Sequence, residues 1–389
     1  MQIGDILTIS PTELVAGGAA LARADGFPIF AAGVFPGDVA RVQLFEVKKG
    51  FARADLVELV KPSPWRRAAP CPVAGECGGC DWTALRLDKQ LEAKRRILTE
   101  SLRRIGKIAS HPDITLHPSP LNYRLRSRLH RDGDAVGFYA QRSNRVVPLP
   151  PECEVVGVET ARALGTPASP PADVAASRAA TLPRRDAARS AAETAALHEL
   201  WELDGTLVED AELTIDGYLL STDAFFQVNR HLLRTMLRLV AAHAARVRTK
   251  RTAVDLYAGV GFFSAPLARM FERVIAVEGS PASARYARKN LPANAEVVEA
   301  PVERYAAKLP PADFVFLDPP RAGTRQEVIR SIAERTSEMI AYLSCDPVTF
   351  SRDASRLIAS GWRLSTLDLL DLFPNTHHVE TLSSFEREP

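Results

Sequence analysis

An alternation of apolar, β-rich runs with helical stretches constrains this 389-residue chain more than any other feature, and it begins at Thr252. The pattern predicts strands at 253–257, 274–277, 314–317 and 340–343, and helices at 262–270, 281–290, 326–334 and 347–360. Neighbouring parallel strands need such helical crossovers, which also cover the faces of the sheet. The sequence therefore predicts a doubly wound α/β domain with ligands at the carboxyl edge of its sheet.

Two glycines follow the first of these strands, in the run Asp255-Leu-Tyr-Ala-Gly259-Val-Gly261. Glycine lets a loop backbone come close to a ligand. The next strand ends in Glu278, where an acid can accept hydrogen bonds from both hydroxyls of a ribose. Because Ser264 stands where a dinucleotide-binding loop has its third glycine, the spacing favours S-adenosylmethionine over a dinucleotide.

The last two strands of the pattern end beside residues that can carry chemistry. One is followed by Asp318-Pro-Pro, where proline fixes φ and makes a rigid shelf after the acid. The other is followed by Cys345 and then by a helix, whose N-terminus is expected to give the sulfur thiolate character. A small buried cysteine is the alternative. Glu380 lies in a polar run near the C-terminus, where a plain surface acid is the alternative.

A cysteine and an acid in these places suit methylation of uracil. Carbon 5 of uracil is a poor nucleophile toward a sulfonium methyl group. Attack of a thiolate on carbon 6 converts the ring to an enolate, whose carbon 5 can accept the methyl group. A base must then remove the proton on carbon 5, so that the thiol can leave. Cys345 and Glu380 would fill these two roles.

The chain resembles the RNA (uracil-5-)-methyltransferases through five motifs in the family's order: FFQVN, DLYAGVG, LDPPRAG, LSCDPVTF and DLFPNTHHVET. The resemblance extends from about residue 4 to residue 385, apart from an Ala/Arg/Pro/Ser-rich insertion at 167–195. It implies that Cys345 is the nucleophile and Glu380 the base. It also implies that the S-adenosylmethionine contacts are Gln227, Tyr257, Glu278 and Asp318, with Gln227 and Asp318 also near the uracil.

Two departures from the family pattern bear on this interpretation. Asp346 follows the cysteine where the family usually has Asn, and its added negative charge should oppose thiolate formation. Phe262 stands where many members have Asn after the second glycine, so that contact is not carried over. If the chemistry were lost, the same fold would serve as a non-catalytic RNA-binding or assembly protein, and Asp346 is the feature that favours this alternative.

Four further cysteines have the spacing of a metal site. Three of them lie close together and one is remote, which fits a four-iron four-sulfur cluster better than zinc, since zinc is usually held by two CxxC-like pairs. Glycines 75, 78 and 79 would let the first part fold tightly. The resemblance to the family branch that carries such a cluster implies as its ligands Cys71, Cys77, Cys80 and Cys153.

The front of the chain has the character of an RNA-binding surface. Residues 41–145 contain 21 Lys and Arg against 11 Asp and Glu, although the formal charge of the whole chain is only +2. Short β stretches separated by turn residues suit a small OB-like barrel at 1–62, which resembles the TRAM domain. Alternating arginines at 123–130 indicate either an RNA-binding strand or a solvated edge strand.

The sequence thus predicts a multidomain protein of three parts. These are a TRAM-like barrel at 1–62, an α+β central domain with the iron–sulfur cluster at 63–240, and a Rossmann-like class I methyltransferase domain at 241–389. A TRAM domain with a cluster indicates 23S ribosomal RNA as the substrate, and transfer RNA is the alternative. Because the opening residues lack a signal-peptide pattern and no apolar run could span a bilayer, we expect a cytoplasmic monomer that does not bind membranes.

Overall fold

The computed structural model describes residues 1–164, 198–203, 206–208 and 212–387, and the predicted insertion at 167–195 lies outside them. The chain divides into two compact units. Unit 1 comprises Met1–Ile97, Pro120–Val208 and Phe373–His378. Unit 2 comprises Leu98–Ser119, Glu209–Leu372 and Val379–Pro389. The division into three domains at 62 and 240 stays a prediction.

Unit 1 begins with a six-stranded sheet, hydrogen-bonded in the order β1-β5-β6-β4-β3-β2. Alternate residues of β5 are buried because side chains alternate across a strand. Strands lie within the region 1–62 where the sequence predicts short β stretches, whereas the closed barrel and the TRAM assignment stay predictions. The strands are β1 (Ile6–Ile9), β2 (Glu13–Leu14), β3 (Ala20–Ala24), β4 (Phe27–Ala32), β5 (Val39–Val47) and β6 (Ala52–Lys61).

A second sheet of unit 1 has five strands, in the order β10-β9-β8-β11-β12. These are β8 (Arg126–Asp132), β9 (Ala135–Tyr139), β10 (Val146–Pro148), β11 (His198–Leu203) and β12 (Thr206–Val208). Helix α1 (Leu87–Arg104) precedes these strands and continues from unit 1 into unit 2, and helix α2 (Val158–Leu164) lies between β10 and β11 in the sequence.

Strand β8 contains most of the predicted arginine run, and it pairs with β9 on one side and β11 on the other. The solvated edge strand is therefore wrong for this run. The guanidinium of Arg124 lies 5.3 Å from the ring centroid of Phe138, and that of Arg126 lies 4.0 Å from that of Trp201. Both arginines thus use their planar groups against aromatic rings.

Unit 2 is built on an eight-stranded mixed sheet, in the order β17-β16-β15-β18-β19-β21-β20-β7. The strands from β17 to β19 pair in parallel, as the crossovers predict, whereas β21 runs antiparallel to both of its neighbours. The strands are β7 (Ile114–His117), β15 (Thr252–Leu256), β16 (Arg273–Glu278), β17 (Ala295–Glu299), β18 (Ala312–Leu317), β19 (Thr336–Ser344), β20 (Trp362–Leu370) and β21 (Glu380–Arg387).

Six described helices lie wholly within unit 2, and four of them match the helices predicted at 262–270, 281–290, 326–334 and 347–360. They are α3 (Leu233–Arg246), α4 (Ser264–Ala268), α5 (Pro281–Asn290), α6 (Val302–Tyr305), α7 (Gln326–Arg335) and α8 (Pro347–Ala359), with a 3-10 turn at Ala306–Lys308 and a hairpin of β13 (Glu212–Ile215) and β14 (Tyr218–Ser221). Helices α5 and α8 both begin with proline after a capping side chain, Ser280 and Asp346. In the described residues, no helix is both long and apolar enough to cross a membrane.

The buried carboxyl group of Asp255 joins β15 to α4. Asp255 is 1% exposed, and its Oδ2 accepts a hydrogen bond from Ser264 Oγ at the start of α4. Its Oδ1 is buried without a hydrogen-bond partner among the described residues. Burial is the main cause that raises the pKa of Asp255 to about 8, and the charges of Asp318 and Glu278 raise it further.

We expect Asp255→Asn to make the stability of the protein less dependent on pH. The folded-state pKa of about 8 lies above the usual value of 3.8. The folded protein therefore keeps a proton that the unfolded chain releases, and this stabilisation is lost as pH rises between those two values. Asparagine is neutral throughout. Between pH 5 and pH 8 the unfolding temperature should fall more for the wild type than for the variant. Asp88→Asn, at an exposed position, is the control, and parallel curves for the wild type and Asp255→Asn would refute the expectation.

Candidate active site

The residues that the sequence predicts to carry chemistry in unit 2 lie at one edge of its sheet. The parallel strands β15, β16, β18 and β19 end at this edge, and the loops that follow them contain most of these residues. The residues at the strand ends are Tyr257, Glu278, Asp318 and Cys345. The carboxyl edge of such a sheet is where α/β proteins bind their ligands.

Strand β21 brings Glu380 to Cys345. In the antiparallel pair of β19 and β21, the last register pair is Ser344 with Thr381, and Cys345 and Glu380 are the next residues on the two strands' ends. The charge of Glu380 acts on the Cys345 thiol, so the two side chains lie close together. Glu380 is the first residue of β21 and is 5% exposed, whereas Cys345 is half-buried. The predicted nucleophile and the predicted base are therefore neighbours.

The surroundings of Cys345 favour the neutral thiol. Burial raises its pKa to about 12, the charges of Glu380, Asp318 and Asp346 act in the same direction, and only that of Arg321 opposes them. The expectation that the following helix gives this sulfur thiolate character is therefore wrong. A thiolate forms here only when a base accepts the proton.

Asp346 explains in part why the helix after Cys345 does not favour the thiolate. Its Oδ1 accepts hydrogen bonds from the backbone N–H groups of Val348 (3.0 Å) and Thr349 (2.8 Å), in the first turn of α8. The positive end of the helix is thus matched by the Asp346 carboxylate rather than by the sulfur of Cys345.

Gln227 and Asp318 form the second pair at this edge. Gln227 Nε2 donates to Asp318 Oδ2 at 3.1 Å, and the Gln227 side chain is 8% exposed. Burial raises the pKa of Asp318 to about 7, although the hydrogen bond from Gln227 opposes this rise. Nearby, Asn229 Nδ2 donates to Ser119 Oγ (2.9 Å) and to the Leu372 carbonyl (2.8 Å), which fixes the segment that contains Gln227.

An exposed aromatic ring lies two residues before Gln227. Phe225 is 63% exposed, whereas Phe226 is buried with its ring centroid 5.2 Å from that of Phe262. Two residues span at most about 7 Å of chain, so Phe225 is close to the pair of Gln227 and Asp318. Sequence reasoning missed this residue because nothing local distinguishes the exposed phenylalanine from the buried one. Phe262, which replaces the family's Asn, packs in this aromatic group.

Glu278 supports the loop that follows β15. Its Oε2 accepts a hydrogen bond from the Gly259 N–H at 2.8 Å, and its Oε1 accepts one from the Ser280 N–H at 2.6 Å. Gly261 has a φ of 90°, and a Cβ atom there would come 2.9 Å from the side chain of Leu291. The loop conformation therefore requires glycine at this position.

Tyr257 occupies the start of the same loop with a φ of 63°, which is rare for a residue other than glycine. Its hydroxyl donates to Glu303 Oε1 at 3.0 Å. Burial is the main cause that raises the pKa of this tyrosine. The four predicted cofactor residues thus form two groups, Tyr257 with Glu278 after the first two strands and Gln227 with Asp318 further along the edge.

A buried carboxylate that sequence reasoning missed supports the loop after Asp318. Asp353 is fully buried and accepts hydrogen bonds from the Tyr342 hydroxyl (3.0 Å) and the Thr324 N–H (3.0 Å). It also accepts from Arg352 Nε (2.9 Å) and Arg356 Nη1 (3.0 Å). The Arg-Asp pair after the cysteine motif is the sequence signal that could have pointed to it.

The polar run before Glu380 forms hydrogen bonds within unit 1. Asn375 is fully buried, and its N–H donates to Gln90 Oε1 at 2.7 Å. Its Nδ2 donates to Glu154 Oε2 at 2.9 Å, and its Oδ1 accepts from Arg67 Nη2 at 3.0 Å. These hydrogen bonds give the middle of the DLFPNTHHVET motif a structural role.

The four other cysteines line one cavity in unit 1, whose apolar walls include Phe138 and Val155. A Cβ atom on Gly78 would come 2.8 Å from the carbonyl oxygen of Tyr139, so this turn requires glycine. Among the residues that the structure describes, no group of three or more His, Cys, Asp or Glu side chains is arranged to hold a metal ion. The predicted metal ligands are thus brought to one cavity without forming a site for a single ion.

The comparisons with known proteins agree with this geometry. A family model described as tRNA (uracil-5-)-methyltransferase matches residues 207–309 and 311–387. An uncharacterised RNA methyltransferase of Corynebacterium efficiens is 33% identical, over 99% of this chain and 96% of the relative. The 23S rRNA (uracil(1939)-C(5))-methyltransferase RlmD of Edwardsiella ictaluri is 31% identical, over 98% of this chain and 96% of the relative.

Among solved structures, the tRNA (uracil-54, C5)-methyltransferase of Pyrococcus abyssi, in complex with S-adenosyl-L-homocysteine, matches with a TM-score of 0.67. The two chains are 23% identical, and the match covers 97% of this chain and 99% of the other. This likeness supports a multidomain α/β methyltransferase fold with a mixed sheet. Because relatives more than 30% identical cover nearly the whole chain, the resemblance predicted from the motifs is confirmed, and the chain belongs to the RNA (uracil-5-)-methyltransferase family.

Proposed function

We propose that this protein transfers a methyl group from S-adenosylmethionine to carbon 5 of a uridine in RNA, through a covalent bond between Cys345 and carbon 6. The observation that supports this proposal is the register of β19 and β21, which ends at Ser344 and Thr381, the neighbours of Cys345 and Glu380 in the sequence. Asp318 lies close enough for its charge to act on the same thiol. A nucleophile and two carboxyl groups are thus available at one point.

The proposed reaction uses these groups in order. The thiol proton passes to a carboxylate as the sulfur of Cys345 bonds to carbon 6, and the electrons of the 5,6 double bond move to the oxygen on carbon 4. Carbon 5 then bonds to the methyl group, and S-adenosylhomocysteine leaves. Glu380 removes the proton from carbon 5, the bond to sulfur breaks and the double bond re-forms.

The proposed methyl-donor site consists of Gln227, Tyr257, Glu278 and Asp318. Each carboxylate oxygen of Glu278 accepts one backbone N–H, and each can accept a further hydrogen bond from a ribose hydroxyl. Tyr257 begins the glycine loop beside it. Gln227 and Asp318 would lie between the methyl donor and the uracil, where the amide and the carboxyl group can pair with the polar edge of the base.

We propose 23S ribosomal RNA as the substrate and keep transfer RNA as the alternative. A relative that is 31% identical and matches over 98% of this chain is named for 23S ribosomal RNA, whereas the matching archaeal structure is named for transfer RNA. In either RNA the target base must leave its stack to reach Cys345. The exposed ring of Phe225 offers a surface on which a displaced base can stack.

The alternative to an enzyme is a non-catalytic protein that only binds RNA. The presence of Cys345, Glu380 and Asp318 at one edge of the sheet speaks against it, because a binding protein needs none of these three groups in that arrangement.

We propose that the cavity in unit 1 holds a [4Fe–4S] cluster on Cys71, Cys77, Cys80 and Cys153. Each cysteine of such a cluster binds a different iron, so its sulfur atoms stand farther apart than the ligands of one ion. This fits four cysteines around an apolar cavity better than a zinc ion does. The methyl transfer needs no electron, so the cluster would hold the structure or help to bind RNA.

We also propose that the N-terminal sheet is the TRAM domain of a three-domain protein. The protein would act in the cytoplasm as a monomer. The exposed arginines and lysines of this sheet would contact RNA phosphates without reading sequence.

Replacing Glu380 should trap the covalent intermediate. In Glu380→Gln the amide cannot take the proton from carbon 5, so turnover should fall by about a hundredfold or more. A methylated protein–RNA adduct should then appear as a slow band on a denaturing gel. The matched control is the double variant with Cys345→Ala, which should give no adduct and no product while still binding S-adenosylmethionine. If Glu380→Gln turns over like the wild type, Glu380 is not the base.

The RNA in which 5-methyluridine forms identifies the substrate. Protein purified without oxygen is incubated with S-adenosylmethionine and unmodified ribosomal RNA or transfer RNA, and the nucleosides are analysed by mass spectrometry. We expect new 5-methyluridine in ribosomal RNA only. The same product only in transfer RNA would overturn the choice of substrate, and no product in either RNA would favour the binding protein.

The cluster proposal predicts the metal content of the protein. Protein purified without oxygen should contain about four iron and four sulfide per chain. Cys80→Ser should lose most of this iron, because it removes one of the four ligands. Cys345→Ser is the matched control and should keep it. Zinc in place of iron, or equal iron in both variants, would contradict the proposal.

A further inference from the structure

We infer that Asp346 is a positioning residue that keeps Cys345 in its thiol form, and that it does so with the same carboxylate that caps α8. The inference concerns the nucleophile of the proposed reaction and, in its effect on turnover, rests on that proposal. The state of the thiol itself can be measured without RNA, so the two can fail separately.

The carboxylate of Asp346 is held at the start of α8, and its charge acts on the Cys345 thiol. The residue follows Cys345 directly, and its Oδ1 accepts the N–H groups of Val348 and Thr349. The backbone of Asp346 is fixed as well, since its carbonyl oxygen accepts from the Ser344 hydroxyl at 3.1 Å and from the Phe350 N–H at 3.0 Å. The charge therefore cannot turn away from the first turn of α8.

The position of this charge changes what the helix does to the cysteine. The N-terminus of a helix carries partial positive charge on its free N–H groups, and it would favour a thiolate placed just before it. Here two of those N–H groups are bonded to a carboxylate. A thiolate on Cys345 would share the same helix end with a second negative charge, and like charges oppose each other's ionisation.

Charged groups from other elements add to this effect. Glu380 from β21 and Asp318 after β18 both act against a thiolate, and Arg321 in the loop after β18 acts for it. Three carboxyl groups thus face one guanidinium around a half-buried sulfur. Asp346 is the one carboxylate of the three to which the proposed reaction gives no proton to move, so its charge can be removed without removing the base.

Asparagine separates the two functions of Asp346. Asn and Asp are about equally good N-caps, because both offer the same side-chain oxygen to the backbone N–H groups. Asp346→Asn therefore removes the charge and keeps the cap. Asp346→Ala removes both, so it serves as the matched variant that loses the cap.

This arrangement suits a nucleophile that acts only on a bound base. A thiolate of high pKa is the stronger nucleophile once it is formed, whereas the neutral thiol resists oxidation and alkylation in the free protein. The proton would leave Cys345 only when the uracil ring is present to accept the sulfur's electron pair.

The test measures the reactivity of Cys345 without RNA or methyl donor. The wild type, Asp346→Asn and Asp346→Ala are alkylated with iodoacetamide between pH 7 and pH 9.5, and the peptide containing Cys345 is quantified by mass spectrometry. A decrease of about one pKa unit gives about ten times more thiolate below the pKa. A thiolate of lower pKa is also a weaker nucleophile, which reduces the alkylation rate of each thiolate by a factor of about three. Asp346→Asn should therefore react about threefold faster than the wild type at each pH.

The unfolding temperature and the rate of methyl transfer are measured for the same three proteins. Asp346→Asn should unfold at the temperature of the wild type, and Asp346→Ala at a lower one. Equal alkylation of Asp346→Asn and the wild type would overturn the inference, and so would faster alkylation accompanied by a lower unfolding temperature. With an RNA that the wild type methylates, the pH–rate profile of Asp346→Asn should shift to lower pH, and an unchanged profile would overturn the effect on turnover. If the wild type methylates no RNA, the proposed function fails and the alkylation rates still decide the role of Asp346.

Discussion

The antiparallel pairing of β21 with β19 is the constraint on which the candidate active site depends. Parallel strands end at the carboxyl edge, so each of them delivers its polar residues through a loop. Strand β21 begins at that edge instead, and its pairing with β19 ends at Ser344 and Thr381, the residues next to Cys345 and Glu380. Because side chains alternate across a strand, a slip of one residue would turn Glu380 to the other face of the sheet. The proposed chemistry therefore depends on the register of two strands.

The acidic character of this edge has two opposite effects. Asp255, Asp318 and Glu380 are all buried or half-buried in unit 2, and the pKa values of the two aspartates are raised by burial. Negative charge in such a place attracts a cationic sulfonium compound and opposes a thiolate on Cys345. The raised pKa values of Asp255 and Asp318 reduce this charge. The field that suits the proposed methyl donor thus makes the nucleophile depend on proton transfer, which explains why a base must be close to it.

The sequence predicts the elements whose signals are local and misses those that depend on distant partners. Helices α5 and α8 begin at the predicted residues because Ser280-Pro281 and Asp346-Pro347 are strong start signals. Strands β20 and β21 carry polar residues, and the buried Ser384 hydroxyl is paired with Ser365 and Thr366 rather than with water. Such strands lack an apolar run. The sequence also predicts thiolate character for Cys345, whereas burial, followed by the charges of Glu380 and Asp318, raises the pKa of this thiol.

The motif before Glu380 shows how a polar run can divide between structure and chemistry. Its fully buried residue Asn375 forms hydrogen bonds with Gln90, Glu154 and Arg67 of unit 1. Glu380 comes five residues later and begins a strand of unit 2. Sequence alone cannot tell these two roles apart, since both residues are polar and both lie outside any apolar pattern. What separates them is the surroundings: Asn375 is bonded to polar groups of unit 1, whereas Glu380 lies close enough to Cys345 for its charge to act on the thiol.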